Sequence, residues 1–273
     1  MRQLKGRRRG SGKCNMIKLI ASDLDGTLLQ GGKQELCKET FEVIEALKKK
    51  GIHFVAASGR QYPNLKKLFA PVSHEISFIG ENGGLIMHNG ELLAKYYIDR
   101  VVGIELAKDI VETPHCEVLI SGQFTSYLQP KRREYVDFLR NVVKVNICEV
   151  SHIEDIKEEF IKISVYDPRG VENHSSTYFK EKWQDKLYVA YSGYEWLDFT
   201  ALQVNKGNAL KNLCGRLGIS SDEVMVFGDN INDKEMIEWA RYSYAMTNGR
   251  AEIKECAAYI TDNVLKTIKE KIL

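Results

Sequence analysis

A mostly apolar run, Ile17-Lys18-Leu19-Ile20-Ala21-Ser22, breaks off into Asp23-Leu24-Asp25-Gly26-Thr27. This junction constrains the fold more than any other part of the chain. A short apolar run reads as a buried strand, and Asp and Gly directly behind it end that strand in a turn. Asp23 and Asp25 lie two residues apart, so at an extended strand end both side chains address one place above a sheet. Taken alone, Asp-x-Asp-Gly-Thr is equally an ordinary turn. It is not a calcium loop, because further acidic residues at the needed spacing are missing.

The rest of the chain supplies the sheet. A helix pattern runs from about Lys38 to Lys50, with Phe41, Ile44 and Leu47 on one face. Lys48 to Lys50 suit a helix C-terminus and Gly51 stops it. A second strand, Ile52–Ala57, ends in Ser58-Gly59-Arg60. Strand, helix, strand at this spacing implies a parallel sheet. A helix over about Tyr62–Phe69 and a strand at Ile76–Ile79 follow, up to a break at Glu81-Asn82-Gly83-Gly84.

The next hundred or so residues have a different texture. Strand-like pieces (Gly84–His88, Glu117–Ser121, Thr125–Leu128, Phe160–Tyr166, Leu187–Tyr191, Trp196–Thr200) are separated by polar turns and helical runs such as Arg100–Glu112 and Ser175–Asp185. After Lys206 the first rhythm returns: helix to Leu217, strand Val224–Phe227 ending in Gly228-Asp229-Asn230, helix Lys234–Ala240, strand Ser243–Met246, a helix, and a short strand at Ala258–Ile260. The expectation is an α/β parallel-sheet core over 16–84 and 195–273, an inserted α+β domain over 85–194, and a disordered basic leader over 1–15.

Charge and cysteine content narrow the function classes. Of 39 Lys and Arg, six lie in the first 15 residues, which hold no acid; the remaining 33 face 37 Asp and Glu, a balance of −4. A mildly acidic body gives no reason to expect nucleic-acid binding. Gly10-Ser11-Gly12-Lys13 is not a phosphate loop, because Arg7 stands at the earlier glycine position and Cys14 replaces Ser or Thr. No apolar stretch is long enough to span a membrane, and no apolar segment of secretory type is present. The six cysteines form no Cys-x-x-Cys pair and none has a His at metal spacing, so reduced thiols, a cytoplasmic location and no zinc are expected.

Four polar clusters fall at C-terminal ends of the parallel strands, or in the loop feeding one: Asp23/Asp25, Ser58, Lys206 and Asp229/Asn232/Asp233. Open parallel sheets bind ligands at that edge. Each cluster has a plain reading alone: a turn, an N-cap serine, a surface lysine, a loop. In this order, each beside the right element, they form a site. Acidic residues gathered there repel one another unless a cation sits among them, and oxygen-only ligands favour a hard cation, best Mg2+.

Asp23-Leu24-Asp25-Gly26-Thr27-Leu28 resembles the first motif of the haloacid dehalogenase superfamily of aspartate-nucleophile phosphatases, and Ser58, Lys206 and Gly228-Asp229-Asn230-Ile231-Asn232-Asp233 resemble its second, third and fourth. Ser58-Gly59-Arg60 and Asn82-Gly83 are similar to its Cof-type sugar-phosphate phosphatase branch, and the insertion resembles a type-two α/β cap. The resemblance covers the chain from about Met16 onward. It implies a Rossmann-like core with a cap, and a Mg2+-dependent phosphatase of small phosphorylated metabolites, sugar phosphates foremost. Asp23 is then the nucleophile and Asp25 the general acid and base. Mg2+ is held by the Asp23 carboxylate, the Asp25 backbone carbonyl and Asp229, with Asp233 behind them orienting Lys206 or reaching the metal through water. Ser58, Lys206, Asn232 and the backbone around Leu24 hold phosphoryl oxygens; Gly59, Arg60 and Asn82 are further candidates.

A phosphomutase on the same fold and a non-catalytic phosphometabolite-binding protein are the competing readings. A monomer or weak homodimer is expected. The insertion's aromatics (Phe124, Tyr127, Trp183, Tyr188, Tyr191, Tyr194, Trp196) are expected to be core rather than a substrate platform, and His88 and His115 incidental.

Overall fold

The computed structural model describes residues 16–273, so the expectation for the basic leader lies outside the described residues. In chain order the elements are β1 (Leu19–Ser22), α1 (Lys38–Lys49), β2 (His53–Ala57), α2 (Tyr62–Leu68), β3 (Ser77–Gly80), β4 (Leu85–His88), β5 (Glu91–Lys95), α3 (Arg100–Glu112), β6 (Glu117–Ser121), β7 (Ser126–Leu128), α4 (Arg133–Phe138), β8 (Ile147–Glu149), β9 (Lys162–Tyr166) and α5 (Ser176–Trp183). Then come β10 (Leu187–Tyr191), β11 (Trp196–Ala201), α6 (Lys206–Leu217), β12 (Val224–Gly228), α7 (Lys234–Trp239), β13 (Tyr242–Met246), α8 (Ala251–Cys256), β14 (Tyr259–Thr261) and α9 (Val264–Lys271).

The first sheet has the order β14-β13-β12-β1-β2-β3-β4-β5. Its strands run parallel from β14 through β3, and β4 and β5 are antiparallel additions. Both faces are covered, which is why its central strands read as nearly unbroken apolar runs. Ile20, Phe54 and Phe227 pack on one face with Val43, Ile44 and Leu47 of α1 and Ile268 of α9. Leu19, Ala21, Val55 and Val226 pack on the other with Leu210 and Leu213 of α6 and Met236 and Ile237 of α7. Asn205 caps α6, its side chain accepting from the Asn208 N–H at 2.8 Å. Gly207 lets α6 lie against α7: a Cβ there would stand 2.5 Å from the Glu235 backbone.

The second sheet has the order β10-β11-β9-β6-β7-β8 and is antiparallel except between β7 and β8. Its strands alternate. Val118, Ile120, Ile163, Val165, Leu197 and Phe199 pack with Leu106 and Ile110 of α3 and Phe179 and Trp183 of α5. The positions between them form the opposite face, polar at Ser121, Lys162, Ser164 and Asp198 and apolar at Leu119, Tyr166 and Trp196, which pack with Tyr135 and Val136 of α4.

Two stretches belong elsewhere than the sequence boundaries put them. Residues 85–95, assigned above to the insertion, form β4 and β5 of the first sheet, where Leu85 and Ile86 pair with Gly80 and Ile79. Residues 196–201, assigned to the core, form β11 of the second sheet, where Leu197 and Phe199 complete its apolar face. In both, a hairpin partner adjacent in the chain decided the pairing. Cys37, Cys116, Cys148, Cys214 and Cys256 are free thiols. Among the described residues no helix is long and apolar enough to cross a membrane.

His88, read as incidental, takes part in a packing detail with a measurable consequence. Ser77 Oγ lies 2.8 Å from His53 Nε2 and 2.7 Å from His88 Nδ1. Burial, and then the neighbouring His88, lower His53 from 6.5 to about 4. The unfolded chain therefore takes up a proton that the folded one refuses. The stabilisation is complete above about pH 6.5 and is lost as pH falls towards 4. We predict that His53→Leu loses less stability than wild type between pH 6.5 and 4 in urea denaturation, by about 3 kcal/mol at the acid end.

Candidate active site

The order β12-β1-β2 sets three parallel strands side by side, so their C-terminal loops share one edge. After β1 comes Asp23–Thr27, after β2 Ser58–Arg60, and after β12 Asp229–Asp233. The first turn of α6 brings Lys206 to the same edge.

Lys206 is fully buried. Its Nζ donates to Asp23 Oδ1 at 2.6 Å and to Asp233 Oδ1 at 2.7 Å. The other Asp233 oxygen accepts from the backbone N–H groups of Asp229 (2.9 Å) and Asn230 (3.1 Å), so Asp233 fixes both the lysine and the loop that carries Asp229. Asp229 Oδ1 accepts from Thr27 Oγ1 at 2.6 Å. Gly26 makes room for this contact. Its φ is +87°, and a Cβ there would stand 2.3 Å from Asp229 Oδ2.

Oxygen atoms of Asp23, Asp229 and Asp233 all lie within 4.8 Å of one another. With every group ionised, three carboxylates against the one lysine leave a charge of −2, which a divalent cation would cancel. The electrostatics show the same deficit. Burial first and the Asp233 charge second push Asp23 well above the usual carboxylate range, although Lys206 pulls it down. The same two causes lift Asp229 to about 6. Lys206 stays charged, because Asp23 and Asp233 outweigh the cost of burying it. An oxygen-only donor set with spare negative charge fits a hard divalent cation.

Asp25 behaves differently from its neighbour. Its half-exposed carboxylate pairs with Arg60 through two bonds, Nε to Oδ2 at 2.9 Å and Nη2 to Oδ1 at 2.6 Å, and it is not part of the acidic triad. Ser58 Oγ accepts from the Arg60 N–H at 3.1 Å. Asn232 donates through Nδ2 to Asn82 Oδ1 at 3.0 Å, and Asn82 donates through Nδ2 to Asp198 Oδ2 at 2.6 Å. Leu24 has a buried side chain in the core.

A cavity of about 320 Å³ opens between this edge and the polar face of the second sheet. Asp23, Asp25, Ser58, Gly59, Arg60 and Asn232 line it; Leu24, Asn82, Lys206, Asp229 and Asp233 are not among its lining residues. Of the aromatics singled out in the sequence, only Trp196 reaches it. Sequence reasoning missed Gln61, Glu81, Ser126, Lys162 and Asp198, which also line it. One signal was present for Lys162 and Asp198: polar residues at every second position of otherwise apolar strands, as in Lys162-x-Ser164.

Lys206→Met would leave two buried carboxylates without their cation. We predict a loss of about 3 kcal/mol in stability at pH 7. The loss shrinks at pH 5.5, where protonation of Asp23, already raised, favours the folded state. Chemical denaturation of the metal-free protein at the two pH values checks both the size and the sign.

The family profile of haloacid dehalogenase-like hydrolases matches residues 20–266. The 5-amino-6-(5-phospho-D-ribitylamino)uracil phosphatase of Escherichia coli strain K12 is 28% identical over 246 residues, covering 89% of this chain and 90% of that protein. Two solved structures superpose over nearly the whole chain. One, from Eubacterium rectale, has a TM-score of 0.83 and 33% identity, covering 94% of this chain and 99% of the other. The second, from Streptococcus mutans UA159, has a TM-score of 0.85 and 28% identity, covering 93% and 98%. With its parallel sheet, its shared strand edge and a match spanning almost all its length, this chain belongs to the haloacid dehalogenase-like hydrolases.

Proposed function

We propose that the protein is a Mg2+-dependent phosphatase that hydrolyses small phosphorylated metabolites, sugar phosphates foremost, through an aspartyl-phosphate. The observation that carries this reading is the Asp23 carboxylate, buried at the cavity, clamped at 2.6 Å by Lys206 and bordered by two further carboxylates. A binding module has no need of so costly a group. The named activity of the Escherichia coli relative, a phosphatase acting on a phosphorylated ribityl compound, supports the same class of substrate.

In this reading an Asp23 oxygen attacks phosphorus, the P–O bond to the leaving group breaks, and Asp25 gives that oxygen its proton. Asp25 then takes a proton from water, whose attack on phosphorus frees Asp23 and phosphate. Arg60 donates to both Asp25 oxygens, so it must release one of them for Asp25 to reach the leaving group. Lys206, Ser58 and Asn232 hold the transferring oxygens. Asp23, Asp229 and the Asp25 backbone carbonyl would hold Mg2+, while Asp233 anchors Lys206 and the Asp229 loop. Bound there, the ion would neutralise charge between the carboxylate and the phosphoryl oxygens. The second sheet acts as a cap that excludes water and meets the leaving group. On sheet membership that cap runs from about 98 to 201.

Release of phosphate from p-nitrophenyl phosphate tests the proposal. We predict turnover with Mg2+, none after chelation, and a loss on the order of 10⁴-fold or more in Asp23→Asn. Wild-type rates in that variant would remove the nucleophile. A second expectation follows from Asp229, raised to about 6. Below that pH a proton competes with the ion, so calorimetric Mg2+ affinity should fall at least about tenfold per pH unit.

A further inference from the structure

Seven buried side-chain atoms among the described residues have no hydrogen-bond partner, and four of them belong to three residues that line the cavity: Gln61 Nε2, both Glu81 oxygens and Ser126 Oγ. Gln61 is 6% exposed, Glu81 2% and Ser126 0%. Buried polar groups in folded proteins are almost always paired, and an unpaired one destabilises the fold. Three such residues lining one cavity, Gln61 and Glu81 from the side of the first sheet and Ser126 from β7 of the second, mark a surface that lacks its complement.

Glu81 is the sharpest case. Lys162 Nζ stands 3.1 Å from Glu81 Oε2, but the same ammonium also stands 3.2 Å from Asp198 Oδ2 and donates to the Gly59 carbonyl at 2.7 Å. One cation therefore serves two buried carboxylates and a carbonyl, and Glu81 is left short. Burial raises its pKa, against the Lys162 charge and hydrogen bonds from Lys162 and Ser121 that pull it down. Its backbone is also held in the left-handed region, with φ of +51°, a conformation that costs energy in a residue with a side chain. Glu81 lines the cavity that holds Asp23.

We infer that Gln61, Glu81 and Ser126 read the leaving group, and that they select one carrying several hydroxyls over one carrying none. The inference rests on the phosphatase reading above and adds the specificity residues to it. The three side chains state the chemistry of their complement. An ionised carboxylate only accepts, an amide nitrogen only donates, and a serine hydroxyl does both. A ligand carboxylate would satisfy Gln61 but be repelled by Glu81 and Asp198. An ammonium would satisfy Glu81 but leave Gln61 Nε2 unpaired. Hydroxyls meet all three demands. Leu119, Phe138, Val145 and Trp196 line the same cavity and give the carbon skeleton an apolar wall. A site built to bond hydroxyls discriminates strongly against a ligand without them, because its buried groups then stay unpaired.

The test compares kcat/KM for sorbitol 6-phosphate, ribitol 5-phosphate and glucose 6-phosphate with that for p-nitrophenyl phosphate, in wild type, Glu81→Gln and Ser126→Ala. Wild type is expected to prefer at least one of the polyhydroxyl substrates. Each variant should lower that preference about tenfold, mainly through KM. Without ligand, Glu81→Gln should melt no lower than wild type, because it removes a charge with too few partners; a purely structural Glu81 would give a lower melting temperature. Ser126→Ala carries the test if Glu81→Gln does not fold. Unchanged preference in the variants, or a wild type that hydrolyses p-nitrophenyl phosphate without favouring any polyhydroxyl substrate, overturns the inference alone. A wild type inert towards every substrate overturns the phosphatase reading and this inference with it.

Discussion

The ammonium of Lys206, fully buried between Asp23 and Asp233, is the contact on which the site depends. Burying a charge is tolerable only with close partners, and here the partners arrive from sequence positions far apart. Asp23 ends the first strand, and Asp233 follows the twelfth. The parallel order β12-β1-β2 makes this meeting possible, because only strands that run the same way end on the same edge. Asp233 then does a second task with its remaining oxygen, holding the backbone of Asp229 and Asn230. One lysine thus ties the sheet edge, the α6 N-terminus and the Asp229 loop into a unit whose negative charge still exceeds its positive charge.

In the proposed mechanism that excess is what the site works with. A carboxylate kept out of water and short of counter-charge is poorly solvated and reactive, and it welcomes a cation. The second sheet completes the picture by a simple division of labour. Period-2 alternation gives it one apolar face, which packs on α3 and α5, and one polar face, which closes the cavity over Asp23. The chain Asn232–Asn82–Asp198, with Lys162 beside it, runs from the sheet edge to that polar face through buried hydrogen bonds and ion pairs. The two sheets are joined at the site by polar contacts, and each keeps its own apolar core.

Much of this was legible in the sequence, for physical reasons. Asp-x-Asp-Gly-Thr behind an apolar strand, and Gly-Asp-Asn behind another, mark strand ends because those residues cannot continue a buried strand. Asp23, Asp229 and Asp233, whose carboxylates meet in the structure, lie beside those strand ends. Two things were not legible. Pairing at the sheet borders was one: Leu85–His88 and Trp196–Ala201 read as strands, but which sheet they join depends on hairpin geometry and on the facing partners. The partners of exposed or long side chains were the other. Asp25 lines the same cavity as Asp23, but its pairing with Arg60, a residue 35 positions away, left no sign in the sequence. Lys162 and Asp198 were missed because a charged residue in a strand shows its facing partner only once the second sheet is placed against the first, and Glu81, in the turn after β3, because nothing local marks that turn as buried.

The central claim is that Asp23 accepts the phosphoryl group. Borohydride reduces an aspartyl-phosphate to homoserine, so quenching the enzyme during turnover of a phosphorylated substrate, reducing it and sequencing its peptides by mass spectrometry reads the acceptor directly. The account predicts homoserine at position 23 and unmodified aspartate at 25, 229 and 233. Homoserine at any other position, or a phosphate-releasing enzyme that yields none, would contradict it.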